Sequence, residues 1–158
     1  MVAAGPKALF LTWRTYGTWL PGDERGWVSR RQNGYGEPVA RPDPRLAAAA
    51  HGQMSRPATV FSETEREEVD DILRKACEFH GWPILALAVR TNHVHIVLAS
   101  EQPPGRVMNA LKAQVTRVLR ERTGDLSSES PWARGGSTRV IWDDVALEAA
   151  VRYVKFGQ

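Results

Sequence analysis

The chain has 158 residues, of which 42% are hydrophobic, 25% are charged and one is a cysteine. This length favours a single compact domain, residues 1–158, and the composition excludes both a disordered chain and a membrane protein. The lone Cys77 excludes an internal disulfide and a multi-thiolate zinc site, and no signal-peptide pattern is present, so we expect a cytoplasmic protein.

The charge of the chain is unevenly distributed. Its net charge is only +3, but residues 62–80 carry seven acidic and three basic side chains, and residues 103–122 carry five basic and one acidic. The first 45 residues are also basic. Separate acidic and basic surfaces favour a polyanionic partner more than the net charge does.

The spacing of apolar residues predicts three elements and one irregular stretch in the first half of the chain. A strand over residues 7–15 leads into a long irregular segment, residues 16–61, that contains many Gly, Pro and Arg residues. A helix then begins at the capping box Ser62 to Glu65 and ends at Gly81. The next strand is expected over residues 83–90.

The second half of the chain completes the pattern. A tight turn at residues 91–92 leads to a strand over residues 93–100, followed by a helix from Gly105 to about Gly124, a strand over residues 138–142 and a last helix toward residue 158. This order predicts an α+β fold: a ferredoxin-like sandwich, in which two helices cover one face of an antiparallel sheet, plus a C-terminal helix. The other face is left for the irregular segment, the last helix and a ligand.

Two histidines lie at alternate positions of the strand 93–100. Side chains alternate along a strand, so His93 and His95 share one face, with Cα atoms about 6.6–7 Å apart, and the intervening aliphatic residues take the other. Two imidazoles in this arrangement can chelate one cation. The alternative is a pair of half-buried histidines without a ligand.

Tyr153 in the last helix is a candidate nucleophile. Ala149 precedes it by one turn and Gly157 follows by one turn, so there is room at the phenol for a bulky group. A phenol can attack phosphorus when a metal polarises the phosphate. The alternative is a structural tyrosine at the edge of the core.

Aromatic and basic side chains are interspersed near the N-terminus. This mixture suits stacking on unpaired bases and contact with phosphates. The alternative there is a hydrophobic cluster that fixes a long loop. A second basic set lies on the helix 105–124, where the alternative is a solvated face. From these two regions we select ten candidate DNA contacts: Arg14, Tyr16, Trp19, Arg30, Arg31, Tyr35, Arg106, Lys112, Arg117 and Arg120.

Four segments together resemble the single-tyrosine HUH transposases, and most closely their REP-associated tyrosine transposase branch. They are residues 92–98 (NHVHIVL), 15–23 (TYGTWLPGD), 135–139 (GGSTR) and the closing helix with Tyr153. The resemblance implies an enzyme that cleaves and rejoins single-stranded, hairpin-bearing DNA through a 5′-phosphotyrosine, and hence a nucleoid-associated protein. A monomer and a homodimer both remain open.

The same resemblance implies the roles of individual residues. Tyr153 is the nucleophile, and His93 and His95 bind a divalent cation, Mg²⁺ or Mn²⁺. Relatives place a third ligand four residues after the tyrosine, where this chain has Gly157, so Gln158 is the nearest candidate. Two other functions stay open: a domesticated DNA-binding protein without catalysis, and a metal-dependent phosphodiesterase that uses water.

Overall fold

A computed structural model describes residues 5–20, 40–125 and 128–157 of the chain. Its four strands are β1 (Ala8–Arg14), β2 (Ile84–Val89), β3 (His93–Leu98) and β4 (Ser137–Ile141). Its four helices are α1 (Pro44–Gly52), α2 (Glu63–His80), α3 (Pro104–Thr123) and α4 (Asp144–Phe156). All four predicted strands are present; β1, β2 and β3 are each two residues shorter than expected, and β4 begins and ends one residue earlier.

The strands form one antiparallel sheet in the order β2-β3-β1-β4. The two central strands are therefore β3 and β1, which pair along their whole length, with Leu11 opposite Ile96 and Thr12 opposite His95. This topology confirms the prediction of a ferredoxin-like sandwich.

Helices α2 and α3 cover one face of the sheet and enclose the larger core. Trp13 of β1 is fully buried there and meets Trp132 edge-on, with the ring centroids 5.8 Å apart. Trp13 therefore belongs to the core. The ends of α2 are those predicted: the Ser62 and Glu65 capping box begins the helix and Gly81, at φ 72°, ends it.

Helix α4 lies on the other face of the sheet. It packs there through Ala150 and Val154, against a smaller core that includes Val97 of β3 and Ile141 of β4. Asp143 caps its N-terminus by accepting a hydrogen bond from the backbone N–H of Ala146 at 2.8 Å. The face that α4 covers agrees with the prediction.

The segment 16–61 departs from the expectation of an irregular chain, because it contains α1. This helix buries none of its side chains and consists largely of alanine, so it has no apolar stripe that would identify it in the sequence. Two backbone hydrogen bonds fix the end of the segment: Thr59 N–H to Tyr16 O at 2.9 Å, and Phe61 N–H to Thr91 O at 2.7 Å.

The chain just before β4 continues the sheet beyond the end of β1. Ala133 N–H donates to Arg14 O at 2.9 Å, and Tyr16 N–H donates to Pro131 O at 2.8 Å. Within the described ranges, no helix combines the length and the apolar character that crossing a membrane requires.

Candidate active site

The two histidines of β3 project from the sheet face that carries α4. Val94 and Ile96 are fully buried on the opposite face, as the alternation along the strand predicts. The imidazole rings of His93 and His95 are 4.6 Å apart between centroids, with an angle of 77° between their planes. The histidine pair is thus formed as expected.

Each histidine is oriented through its Nδ1 atom. Thr12 Oγ1 lies 2.7 Å from His95 Nδ1, and Asn92 Oδ1 lies 2.7 Å from His93 Nδ1. Because a carboxamide oxygen only accepts, His93 Nδ1 is the donor in its bond to Asn92. Hydrogen bonds of this kind fix the tautomer and ring orientation of metal-binding histidines.

His95 stays neutral over the physiological range. Burial of the ring, followed by the nearby charges of His93, Arg14 and Arg90, lowers its pKa from 6.5 to about 3. Burial acts because it penalises the charged imidazolium, and the neighbours act by charge repulsion. Neutral imidazole is the form that binds metals.

Helix α4 brings Tyr153 beside the histidines. The phenol ring lies 5.5 Å from the His95 ring between centroids, and 47% of the residue is exposed. Phe10 of β1 fills the corner between them, 5.9 Å from His95 and 6.1 Å from Tyr153. The three residues selected as a catalytic group therefore meet on one face.

Phe10 was missed by the sequence analysis. The available signal was its position in β1, two residues before Thr12 and so on the same face of the sheet. Arg90, just after β2, was also missed, although its charge acts on His95.

The outer side of Tyr153 opens onto a recess of about 570 Å³ on the surface of α4. Its lining is mainly apolar and includes the small residues Ala149 and Gly157, as well as Phe156, which is 79% exposed. The space expected around the phenol from its small neighbours is therefore present.

The described part of the chain brings together no group of three His, Cys, Asp or Glu side chains that could hold a metal ion. His93 and His95 thus provide two possible ligands. Gln158, the candidate for a third, lies outside the described residues.

The candidate DNA contacts near the N-terminus differ in their surroundings. The guanidinium carbon of Arg14 lies 3.7 Å from the centroid of the Trp19 ring. The Tyr16 hydroxyl accepts a hydrogen bond from Ser55 N–H at 2.9 Å, and Arg56 lies over its ring at 3.9 Å. Hydrogen bonding to Ser55 lowers the pKa of Tyr16. Arg30, Arg31 and Tyr35 lie outside the described residues.

Three of the four candidate contacts on α3, namely Lys112, Arg117 and Arg120, border a groove of about 730 Å³ between this helix and residues 130–135. Lys112 donates to the carbonyl oxygens of Ala133 and Gly135 at 3.0 and 2.8 Å, and its burial lowers its pKa.

The three arginines of α3 differ in their contacts. Arg120 donates a hydrogen bond to Ser128 O at 2.8 Å, and Arg117 forms an ion pair with Glu121 at 2.8 Å. Arg106 is exposed at the start of the helix. Their role in DNA binding stays a prediction.

Comparisons with known proteins give a consistent result. A family model described as "Transposase IS200 like" matches residues 54–155, about two thirds of the chain, including both histidines and the tyrosine. No match is found among curated proteins.

Two solved structures share the fold. A Deinococcus radiodurans R1 protein assigned as a transposase superposes with a TM-score of 0.53 at 14% identity, over 98% of this chain and 93% of its own. A REP-associated tyrosine transposase bound to a REP hairpin superposes with a TM-score of 0.53 at 12% identity, over 99% of this chain and 71% of its own.

Proposed function

Because the chain belongs to the family of IS200-like transposases, we propose that it cleaves and rejoins single-stranded, hairpin-bearing DNA with Tyr153 as the nucleophile. The observation that carries the proposal is the position of Tyr153. Its half-exposed ring lies beside His95, on the sheet face that α2 and α3 leave uncovered. A structural tyrosine at the edge of the core would also be half-exposed, so the support comes from the position of the ring beside the histidine pair.

A divalent cation, Mg²⁺ or Mn²⁺, fits the histidine pair. Both rings have their Nδ1 atoms hydrogen-bonded, and His95 is neutral, so His93 and His95 would hold the ion through Nε2. When bound, such an ion polarises a phosphate oxygen and so makes the phosphorus more electrophilic. The remaining ligands would come from the DNA, from water or from outside the described residues.

Cleavage and rejoining of DNA by Tyr153 needs no nucleotide cofactor. The Tyr153 oxygen forms a bond to phosphorus as the bond to the 3′ oxygen breaks, so the products are a 5′-phosphotyrosine and a free 3′-OH. The phenol loses its proton in this step and the 3′ oxygen gains one. Attack by a second 3′-OH reverses the step and joins two DNA ends, because the phosphotyrosine conserves the energy of the original bond.

One of the two solved structures that share the fold is bound to a REP hairpin, which supports a hairpin-bearing substrate for this chain. Basic side chains are available for it on both sides of the sheet. Arg14 lies at the end of β1 beside the histidines, and Arg106 and Arg117 are exposed on α3. Action on chromosomal DNA would place the protein at the nucleoid.

The test is a search for the covalent intermediate. A single-stranded oligonucleotide from the genomic repeats that flank the gene, labelled at its 3′ end, should give a labelled protein band on a denaturing gel. Tyr153→Phe should abolish this band and leave hairpin binding nearly unchanged, because only the phenolic oxygen is lost. Phe79→Leu changes an exposed aromatic ring of α2, on the other side of the sheet, so it is the control and should retain the band. Cleavage by Tyr153→Phe at the wild-type rate would contradict the nucleophile assignment.

The same assay separates the alternatives. A phosphodiesterase that uses water would release a free 5′-phosphate without an adduct, and a non-catalytic binding protein would give neither product. For the metal, His93→Ala or His95→Ala should remove activity, and EDTA should abolish the wild-type activity until Mg²⁺ or Mn²⁺ is added. Full activity in chelator would contradict the metal site.

A further inference from the structure

Helix α4 has an apolar side in addition to the one that it buries. Ala150 and Val154 pack against the sheet, whereas Val145 and Phe156 are 80% and 79% exposed. These two side chains line the recess beside Tyr153. Large apolar residues that are exposed singly are common on protein surfaces, but several that share one concave patch indicate a binding site.

The chemistry of this recess suits an uncharged, flat ligand. The charged side chains of its lining, Glu148 and Arg152, form an ion pair with each other at 3.2 Å. Their charges cancel, so the lining has no net charge that would attract a phosphate. The exposed ring of Phe156 offers an aromatic face, and unpaired nucleobases stack on such faces in complexes with single-stranded nucleic acids.

Tyr153 connects the recess to the candidate active site. Its ring lies beside His95 and also forms one wall of the recess. Phe156 follows Tyr153 by three residues, so the two side chains share one side of α4 and are about 4.5 Å apart along the helix axis. Stacked nucleotides rise about 3.4 Å each. A strand that places a phosphate at the phenol therefore brings a neighbouring nucleotide to Phe156.

We propose that the recess binds, by stacking on Phe156, the base of a nucleotide that directly flanks the phosphate attacked by Tyr153. The proposal rests on the proposed function, and it assigns a role to Phe156 that the sequence analysis did not. A base held there fixes the position of the strand over the phenol. The other possible occupant is a second copy of this chain, but seven residues line the recess, far fewer than the roughly 20–30 that each partner contributes to a stable interface.

The experiment measures binding of the fluorescein-labelled repeat oligonucleotide by anisotropy in EDTA, over a series of salt concentrations. Binding in EDTA is measured without cleavage, so the result is independent of the adduct assay. Phe156→Ala should weaken binding by at least about fivefold, the lower end of the effect of losing one base stack. The slope of log K against log salt should stay the same, because stacking releases few ions. Phe156→Trp keeps an aromatic face and should retain the affinity.

Two further variants separate stacking in the recess from a general effect of an exposed ring. Phe79→Ala is the matched control, because Phe79 is 86% exposed on α2, on the other side of the sheet, and its loss should change neither the affinity nor the slope. Ala149→Leu fills the recess without adding charge and keeps a good helix former, so it should weaken binding as well. Thermal unfolding of each variant shows that the fold is retained.

The position of the base is tested with oligonucleotides that lack one base at a time but keep every phosphate. At a nucleotide that flanks the cleavage site, the wild type should lose affinity and Phe156→Ala should lose no more, because the stacking partner is already absent. Equal losses for both proteins at every position, or wild-type affinity of Phe156→Ala, would overturn the proposal.

Sedimentation of the free protein tests the other occupant of the recess. The wild type and Phe156→Ala should have the same oligomeric state. A wild-type dimer that Phe156→Ala converts to a monomer would overturn the proposal, because the recess would then be an interface between copies. An adduct without dependence on Phe156 would leave the proposed function standing alone. Dependence on Phe156 without an adduct would retain the base site and contradict the nucleophile assignment.

Discussion

Gly157, the residue that ends α4, follows Tyr153 by one turn and lies directly against it. A β-carbon on residue 157 would come within 2.9 Å of Tyr153 Cδ2 and within 3.0 Å of its Cα and carbonyl oxygen. Contacts this short do not persist, so a side chain at this position must displace the phenol or the last turn of the helix. The absence of a side chain at residue 157 therefore sets where the phenol lies.

We expect Gly157→Ala to lower the rate of adduct formation by roughly 10²-fold, the scale of the effect of a 1 Å misplacement of a reacting group. Hairpin binding should be unchanged, because the basic surfaces are untouched. Single-turnover adduct formation measures the effect. Gly105→Ala, where a β-carbon meets open space, is the control and should keep the wild-type rate. An equal rate for both variants would show that the phenol tolerates the displacement.

Thr12 is expected to act as a positioning residue for His95. Thr12→Val keeps the shape of the side chain but removes the hydroxyl that bonds to Nδ1 at 2.7 Å. If His95 binds the cation, affinity for Mn²⁺ should fall by roughly 10- to 100-fold, the usual effect of losing such a hydrogen bond. Titration calorimetry with Mn²⁺ measures it, and Thr12→Ser should recover most of the affinity. Similar affinities for the valine and serine variants would refute this role.

Lys112 is expected to stabilise the fold, because it bonds to two backbone carbonyls just before β4. Lys112→Met keeps the length of the side chain but leaves the carbonyls of Ala133 and Gly135 without this donor. The free energy of unfolding should fall by about 1–3 kcal/mol. Urea unfolding measures the change, and Lys75→Met, at an exposed position of α2, should change stability by less than about 0.5 kcal/mol. Equal stability of the two variants would exclude the structural role.

Cys77 is expected to be unreactive in the folded protein. Burial raises the pKa of its thiol from 9.0 to about 11, and Arg74 opposes this shift only in part. Little thiolate forms at pH 8, and the thiol is shielded, so iodoacetamide should label it much more slowly than in guanidinium chloride. The raised pKa also stabilises the fold below pH 9, and this contribution is lost as the pH rises toward 11. Equal labelling rates in the two solvents would contradict the burial.

The sequence predicts those features that depend on near neighbours. The alternation around His93 and His95 follows from the geometry of any strand, and the capping box at Ser62 is local by nature. The position of Tyr153 follows from the pattern of one helix and the location of the histidines on the face left for that helix. These features need no knowledge of which strands pair.

The sequence does not predict contacts that depend on register between distant segments. Thr12 and His95 are 83 residues apart and meet only because β1 and β3 pair in one register. The bonds of Lys112 to carbonyls near β4 depend in the same way on how α3 packs. A helix such as α1, which buries no side chain, gives no periodic signal at all.

The two faces of the sheet carry hydrophobic cores of unequal size. The histidines and Tyr153, which form the candidate active site, depend on different cores. The histidines are held by β3, whose other face belongs to the larger core, whereas Tyr153 is held by α4 through Ala150 and Val154. Detaching α4 opens only the smaller core, so we expect its amide hydrogens to exchange with solvent through local opening rather than through global unfolding. Tyr153 and the histidines therefore depend on different hydrophobic cores, and we expect α4 to move the phenol while the sheet stays intact.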